Sequence, residues 1–142
     1  MEELSKSLED YLEMILMLKN ELGAARVTDI ANRLNVKKPA VTNALKLLSE
    51  KGYIIYEPYK EIILTDKGRK VAEFVLNRHK IISDFFVKIL DLPEDIANED
   101  ACKVEHVISE KTFEKLSLFL KYILQSDIKC IDIEKFKSKN AD

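Results

Sequence analysis

Three side chains that commonly bind transition metals lie close together near residue 100. Cys102, Glu105 and His106 offer a thiolate, a carboxylate and an imidazole, which is a donor set typical of first-row transition metals. If residues 101–108 are helical, the spacing of i, i+3 and i+4 places all three on one face. One turn of helix cannot complete a coordination sphere, so further ligands must come from elsewhere in the chain.

Two other parts of the chain contain candidates for the missing ligands. Asp10 and Glu13 stand at i and i+3 on a predicted first helix, where carboxylates are either solvated or directed at a metal. His79 lies near the middle of a long predicted helix, and a single histidine there is more often a packed or surface residue than a ligand. Sequence spacing alone does not decide between these interpretations.

The apolar periodicity predicts that helices carry all of these residues. A period near 3.6 residues predicts helices over residues 4–22, 65–90 and 111–124. A short helical turn over 93–97 is expected to lead into a separate helix that carries Cys102. Thr65 is the expected cap of the long middle helix because its hydroxyl precedes the apolar period.

Residues 26–51 predict a helix-turn-helix motif. A short helix with Thr28 as its N-cap leads to a turn in which Val36 fills the core, and Pro39 begins a second helix that ends at Lys51. A short helix, a tight turn and a second helix are typical of DNA-binding proteins. A helical hairpin in an unrelated bundle is the alternative interpretation.

Two β-branched and aromatic runs follow this motif. Residues 53–56 and 61–64 predict a β-hairpin, which would be the wing of a winged helix-turn-helix. Pro58 and Tyr59 are interpreted as turn and packing residues, and Lys60 at the tip as a contact to the minor groove or to a phosphate.

The distribution of charge favours DNA binding, although the formal net charge of the chain is -2. Residues 24–60 contain seven basic and three acidic side chains, so positive charge is concentrated on the predicted motif. Some of these side chains would meet base edges and others phosphates. The predicted DNA-contacting residues are Arg26, Lys37, Lys38, Pro39, Ala40, Thr42, Asn43, Lys46 and Lys60.

The last predicted helix is apolar on more than one face, which indicates a second surface to bury against. A homodimer provides that surface, and two-fold symmetry matches the paired half-sites that helix-turn-helix proteins read. The predicted interface residues are Phe85, Phe86, Phe113, Leu116 and Leu120.

The composition indicates a cytoplasmic protein without a membrane segment. The 142 residues are 46% hydrophobic and 34% charged, and the N-terminus lacks the pattern of a secretory signal. Cys102 and Cys130 are the two cysteines, and in a reducing compartment both are expected as free thiols. We assign no role to Cys130.

The motifs in combination resemble the diphtheria toxin repressor family and, within it, the manganese transport regulators. The resemblance implies a homodimeric repressor that binds Mn2+ or Fe2+ as corepressor, with Co2+ or Zn2+ as substitutes, and then binds operator DNA of metal-uptake genes. The likeness is carried by the winged helix-turn-helix and by Asp10-Tyr11-Leu12-Glu13, Arg78-His79 and Cys102-x-x-Glu105-His106-x-x-Ser109.

The resemblance also implies a set of metal ligands, with three departures from the family pattern. Iron-responsive members typically have Met where this chain has Asp10, and manganese regulators often have Glu where it has Cys102. The positions of a second, ancillary site are Ser83 and Asn98 in place of Glu and His. The implied ligands are Asp10, Glu13, His79, Cys102, Glu105 and His106.

The resemblance and the patterns together predict a mainly α protein. Residues 1–70 are expected to form a winged helix-turn-helix domain with a two-stranded β wing, and residues 71–126 an all-helical metal-binding and dimerisation domain. Residues 127–142 are expected to be a polar tail. The chain ends before the SH3-like third domain of longer members, so a two-domain form is expected.

Three other functions stay open from the sequence. A winged-helix regulator could respond to an organic ligand instead of a metal. A metalloenzyme could use the Cys/Glu/His set with an open coordination position, although no Gly-rich loop or base motif accompanies it. A structural zinc site would hold the fold together, so that removing the metal would unfold the domain.

Overall fold

The computed structural model describes residues 3–125 and 132–139, which form seven α-helices and one two-stranded β-sheet. This mainly helical fold with a β wing confirms the predicted fold class. The chain divides into two compact units, Met1–Leu76 and Asn77–Asp142. The elements are α1 (Lys6–Leu22), α2 (Val27–Leu34), α3 (Lys38–Glu50), β1 (Ile54–Ile55), β2 (Ile63–Leu64), α4 (Asp66–Lys88), α5 (Glu94–Val104), α6 (Glu110–Gln125) and α7 (Ile133–Lys139).

Helix α1 begins and ends with local signals that the sequence carries. The Ser5 hydroxyl accepts a hydrogen bond from the Leu8 N–H at 3.3 Å, which caps the first turn. Gly23 ends the helix in the left-handed region at φ 81°, where residues with a Cβ are strained. Leu12 and Ile15 are fully buried in the core of the first unit.

The helix-turn-helix is present, with two local differences from the prediction. Helix α2 begins at Val27, so its N-cap is Arg26 and not Thr28, and no side chain caps it. Val36 does not fill the core, because 37% of it is exposed. Asn35 turns the chain at φ 53°, and fully buried apolar side chains fill the space between the helices instead: Ile30, Val41, Leu45 and Leu48.

The wing is an antiparallel hairpin that is shorter than predicted. Ile54 pairs with Leu64 and Ile55 with Ile63. The second strand does not begin at residue 61, because the Ile62 N–H donates to the Ala25 carbonyl at 3.2 Å. That bond ties the hairpin to the segment before α2 and removes a donor from the strand ladder.

Helix α4 begins against the turn that follows α3. The Thr65 hydroxyl accepts from the Gly68 N–H at 3.2 Å and donates to the Gly52 carbonyl at 2.7 Å, which confirms Thr65 as the cap. Gly68 has no space for a side chain, since a Cβ there would lie 1.8 Å from the Tyr53 carbonyl oxygen.

The second unit has a smaller core around Ile82, Ala101 and Phe113. Helix α5 is continuous from Glu94, so the predicted separate turn over 93–97 is wrong. The helix ends at Val104, and residues 105–107 form a turn. Of the predicted polar tail, the structure describes the short helix α7; Cys130 lies outside the described residues. The predicted domain limits at 70 and 126 stay predictions.

Candidate functional site

Glu105 is the centre of the candidate metal site in the second unit. It is 1% exposed, and its two oxygens face two different imidazoles. Its Oε2 lies 2.9 Å from His79 Nδ1, and its Oε1 lies 3.1 Å from His106 Nε2. Burying a carboxylate is unfavourable by several kcal/mol unless charge or hydrogen bonds compensate. A positive charge next to the Glu105 carboxylate would therefore stabilise this arrangement.

Three segments position these side chains. His79 belongs to α4, Cys102 to the last turn of α5, and Glu105 with His106 to the turn after it. The ligand atoms of Cys102 and Glu105 lie within 4.8 Å of each other. The structure thus brings together the four predicted ligands of this unit, although Glu105 and His106 follow the helix and do not lie on it.

Backbone hydrogen bonds hold the turn in place. The Glu105 N–H continues the helical pattern to the Ala101 carbonyl at 2.9 Å. The N–H groups of Val107 and Ile108 then both donate to the Val104 carbonyl at 3.0 Å. This tightening of the last turn redirects the chain towards α6 and leaves Glu105 and the imidazole of His106 turned inward.

The residues present fit a divalent metal ion. Among the described residues, the buried Oε1 of Glu105 accepts no hydrogen bond of proper geometry, although the His106 nitrogen is close. A buried acceptor in that state is unfavourable, and a cation would satisfy it. The nitrogen, oxygen and sulfur donors around it match Mn2+, Fe2+, Co2+ or Zn2+.

The two remaining predicted ligands lie on α1 in the first unit. Glu13 is only 8% exposed, so it is not a freely solvated surface carboxylate. Asp10 is half-buried. Burial raises the pKa of the neighbouring Tyr11 phenol, so Tyr11 stays neutral and adds no charge. That α1 contributes to the metal site stays a prediction.

Ser83 and Asn98, which stand at the two ancillary-site positions, are neutral and form a hydrogen bond with each other. The Ser83 hydroxyl donates to the Asn98 side-chain oxygen at 2.8 Å, and Ser83 is buried. Neither residue can supply the carboxylate or imidazole of the iron-type second site. The geometry agrees with the departure noted from the sequence.

A groove in the first unit is lined by several of the predicted DNA-binding residues. It has a volume of about 640 Å³ and lies between α3 and the wing. Five of the predicted DNA contacts line the groove: Arg26, Lys38, Thr42, Lys46 and Lys60. The other four lie at or near the start of α3 and are exposed: Lys37, Pro39, Ala40 and Asn43.

The wing tip contains a residue whose role the sequence did not predict. Tyr59 is fully exposed at φ 65°, so its assignment as a packing residue is wrong. It lines the groove together with Tyr56 and Pro58. The neighbouring Lys60 ammonium contacts the Glu57 carboxylate. A tyrosine within a turn gave no periodic signal that could have placed it outside the core.

Comparison with known proteins decides the family. Two family models match the chain: the N-terminal DNA-binding domain of iron dependent repressors over residues 3–62, and their metal binding and dimerisation domain over residues 65–128. An HTH-type transcriptional regulator of Methanocaldococcus jannaschii is 42% identical over 96% of this chain and 99% of its own length. The chain belongs to the iron-dependent repressor family.

Two further relatives agree with this assignment. The HTH-type transcriptional regulator MntR of Bacillus pumilus is 34% identical over 94% of this chain and 92% of its own length. The structure of the manganese regulator SloR superposes with a TM-score of 0.72 at 30% identity over 81% of this chain. The chain spans 54% of the length of that structure.

Membership of the iron-dependent repressor family excludes one alternative. The family consists of transcriptional repressors and not of enzymes, so the metalloenzyme interpretation is wrong. Transcription regulation, DNA binding and metal binding are properties of the family. Within residues 3–125 and 132–139, no helix is long and apolar enough to cross a membrane.

The predicted dimer residues differ in their exposure. Phe113 and Leu120 are buried within a single chain, with exposures of 8% and 5%, and leave little area for a partner. Phe85, Phe86 and Leu116 are half-buried. The periodicity of α6 could not separate its two apolar faces. Its exposed face, here called the α6 patch, consists of Leu118, Phe119 and Tyr122.

Proposed function

We propose that this chain is a homodimeric repressor that binds Mn2+ or Fe2+ as corepressor and then binds operator DNA of metal-uptake genes in the cytoplasm. The observation that carries the proposal is the buried Glu105 carboxylate between two imidazoles, with Cys102 beside it. A site of this kind in the metal-binding domain of a repressor family indicates a regulatory cation.

The proposed ligands come from two parts of the sequence. The second unit supplies His79, Cys102, Glu105 and His106, and α1 supplies two carboxylates. Oxygen ligands favour a hard ion such as Mn2+, whereas a thiolate favours softer ions. The similarity to the manganese regulator SloR supports Mn2+. Co2+ and Zn2+ are the expected substitutes because N/O/S sites bind them at least as tightly.

Charge explains how a cation would act on the chain. Asp10, Glu13 and Glu105 are acidic and would repel one another when brought together. A bound divalent cation supplies the positive charge that neutralises this set. If all of these carboxylates hold the same ion, metal binding would select one conformation of the chain from a looser ensemble.

The groove and the start of α3 would contact the DNA. Asn43 is suited to a bidentate contact with adenine, and Pro39 and Ala40 to thymine methyl groups. The basic side chains of the groove and the Thr42 hydroxyl would contact phosphates, which fix the orientation of α3 without reading sequence. Tyr59 at the wing tip extends this surface.

A second copy of the chain would cover the α6 patch. The matching family model is described as a dimerisation domain, and three large apolar side chains of the patch are 46–58% exposed. Such a patch is unfavourable in water and marks an association surface. A two-fold dimer would place two α3 helices about one DNA turn apart, roughly 34 Å.

Calorimetric titration of the metal-free protein with Mn2+ tests the metal site. The wild-type protein is expected to bind, and a double variant with Glu105→Gln and His106→Ala is expected to lose binding. Glu99→Gln is the matched control, because this exposed carboxylate lies on α5 and pairs with Lys103 at 2.8 Å. A double variant that binds Mn2+ like the wild type would contradict the site, and a wild-type protein that binds no divalent cation would favour a regulator that responds to an organic ligand.

Circular dichroism of the metal-free protein separates a regulatory site from a structural one. The proposal expects the chain to stay helical and folded after chelation, since each unit has its own apolar core. Loss of helical signal with chelator would instead indicate a structural metal.

A further inference from the structure

We propose that Arg78 is a positioning residue that fixes the turn bearing Glu105 and His106; this inference rests on the proposed metal site. The Arg78 side chain donates from Nη2 to the Ile108 carbonyl oxygen at 2.7 Å, across 30 residues of sequence. Ile108 follows His106 by two residues, so the bond anchors the far end of the turn.

A second contact holds the segment after the turn. The Arg78 guanidinium lies over the Phe113 ring, 5.2 Å from its centroid, at a distance typical of a cation–π interaction. Phe113 is buried, and its N–H donates to the Ser109 carbonyl at 2.9 Å. The start of α6 is thereby fixed by the same side chain that fixes Ile108.

Arg78 is adjacent in sequence to one of the proposed metal ligands. It directly precedes His79 on α4, and His79 faces Glu105. One stretch of α4 therefore provides an imidazole at the carboxylate and anchors the backbone that carries that carboxylate. Residues that orient metal ligands without touching the metal typically change affinity about 10–100-fold when removed.

The direction in which metal affinity changes when Arg78 is removed distinguishes a positioning role from a purely electrostatic one. A guanidinium near a cation site repels the cation, so removing it would tighten metal binding if charge were its only influence. A positioning role predicts the opposite, because the turn would no longer hold Glu105 and His106 in place. Lysine cannot fully replace arginine here, since it lacks the planar fork that contacts a carbonyl and a ring together.

The experiment compares Arg78→Met and Arg78→Lys with the control Lys80→Met in the full-length protein. Lys80 is exposed on the same helix, so its variant removes the same charge without either contact. Calorimetry with Mn2+, well below the unfolding temperature, is expected to show affinity about 10–100-fold weaker for Arg78→Met. A smaller loss is expected for Arg78→Lys and none for Lys80→Met.

Two further readouts exclude a merely structural effect. The absorption of the Co2+ complex reports the geometry around the Cys102 thiolate and is expected to change in the Arg78 variants and not in the control. Hydrogen exchange at the Ile108 amide of the metal-free protein is expected to be faster in Arg78→Met. If Arg78→Met fails to fold, Arg78→Lys provides the test.

Several outcomes would overturn the positioning role. A folded Arg78→Lys or Arg78→Met protein with wild-type or tighter Mn2+ affinity contradicts it, as does an unchanged Co2+ spectrum. Wild-type protein that binds no Mn2+, Fe2+ or Co2+ overturns this inference and the proposed function together. Normal binding by the wild type with normal binding by both Arg78 variants overturns this inference alone.

Discussion

At the residue scale, Glu105 is the central residue of the proposed metal site. Its carboxylate is buried, and one of its oxygens lacks a proper hydrogen bond within the described residues. A neutral side chain of the same shape removes the burial of charge, which often leaves a protein equally stable or more stable. We therefore expect that the metal-free fold does not need the Glu105 carboxylate, whereas the proposed metal binding does.

Glu105→Gln should therefore leave the unfolding temperature of the metal-free protein unchanged or raised. The rise in unfolding temperature that Mn2+ gives the wild type should be absent, because a ligand stabilises only the state that binds it. Thermal unfolding with and without Mn2+ measures both effects. A metal-free variant that is much less stable than the wild type would show that Glu105 serves the fold.

Asn43 and Lys46 should differ in their effect on DNA binding. Asn43→Ala should weaken binding to a duplex selected from a random pool with Mn2+ present by about 1–3 kcal/mol and relax specificity at one base pair. Lys46→Ala should weaken binding to all sequences and reduce the slope of log affinity against log salt by about 1.

Fluorescence anisotropy at several salt concentrations distinguishes these two roles. Lys70→Ala is the matched control, since it removes an exposed charge on α4. If Lys46→Ala left the salt slope unchanged, the groove beside the wing would not be the phosphate-contacting surface.

At the scale of elements, the start of α4 lies in close contact with the segment between α3 and β1. Gly68→Ala would place a Cβ 1.8 Å from the Tyr53 carbonyl oxygen, so the backbone of α4 must shift. We expect a loss of about 3 kcal/mol in the free energy of unfolding, at the upper end of ordinary overpacking.

Gly23→Ala provides the comparison for this prediction. A Cβ at Gly23 meets no atom within 4 Å, and only its positive φ is unfavourable, by roughly 1–2 kcal/mol. Urea denaturation of both variants gives the two values. Equal losses, or a smaller loss for Gly68→Ala, would contradict the close contact.

Local signals in the sequence predicted the elements well where a cap or a period defined them. The apolar period placed α1, Thr65 and the same kind of period placed α4, and Pro39 placed α3. The sequence could not predict where α5 ends, because the Val104 carbonyl that closes the turn carries no residue-specific signal. It also predicted β2 as longer than it is, since the bond from Ile62 to Ala25 that shortens the strand is a long-range contact.

The candidate site was predicted only as far as spacing and resemblance allow. Residue types indicated Cys102, Glu105 and His106 as candidate ligands, but the approach of His79 to Glu105 depends on how α4 packs against the turn. The contact of Arg78 with Ile108 depends on the same packing. The burial of Phe113 and Leu120 could not be predicted from the sequence, because both faces of α6 are apolar. Only the packing of the second unit determines which face is buried.

At the scale of the whole molecule, the α6 patch should determine the oligomeric state. Leu118→Glu places a charge on the patch and should convert the dimer to a monomer, because a desolvated unpaired carboxylate is strongly unfavourable in an interface. Leu22→Glu is the matched control, since Leu22 is 60% exposed on α1 and Leu118 is 52% exposed. Light scattering after gel filtration measures both masses. A Leu118→Glu dimer, or a wild-type monomer, would contradict the interface.

The proposed function requires that a divalent cation control DNA binding by this chain. The most direct test is anisotropy of the wild-type protein on a duplex selected in the presence of Mn2+, measured first with Mn2+ and then with chelator. We expect chelation to weaken binding by at least about 5–150-fold, the usual range of coupling between two sites, and added Mn2+ to restore it. Equal affinity in the two conditions, with the protein folded in both, would contradict the claim.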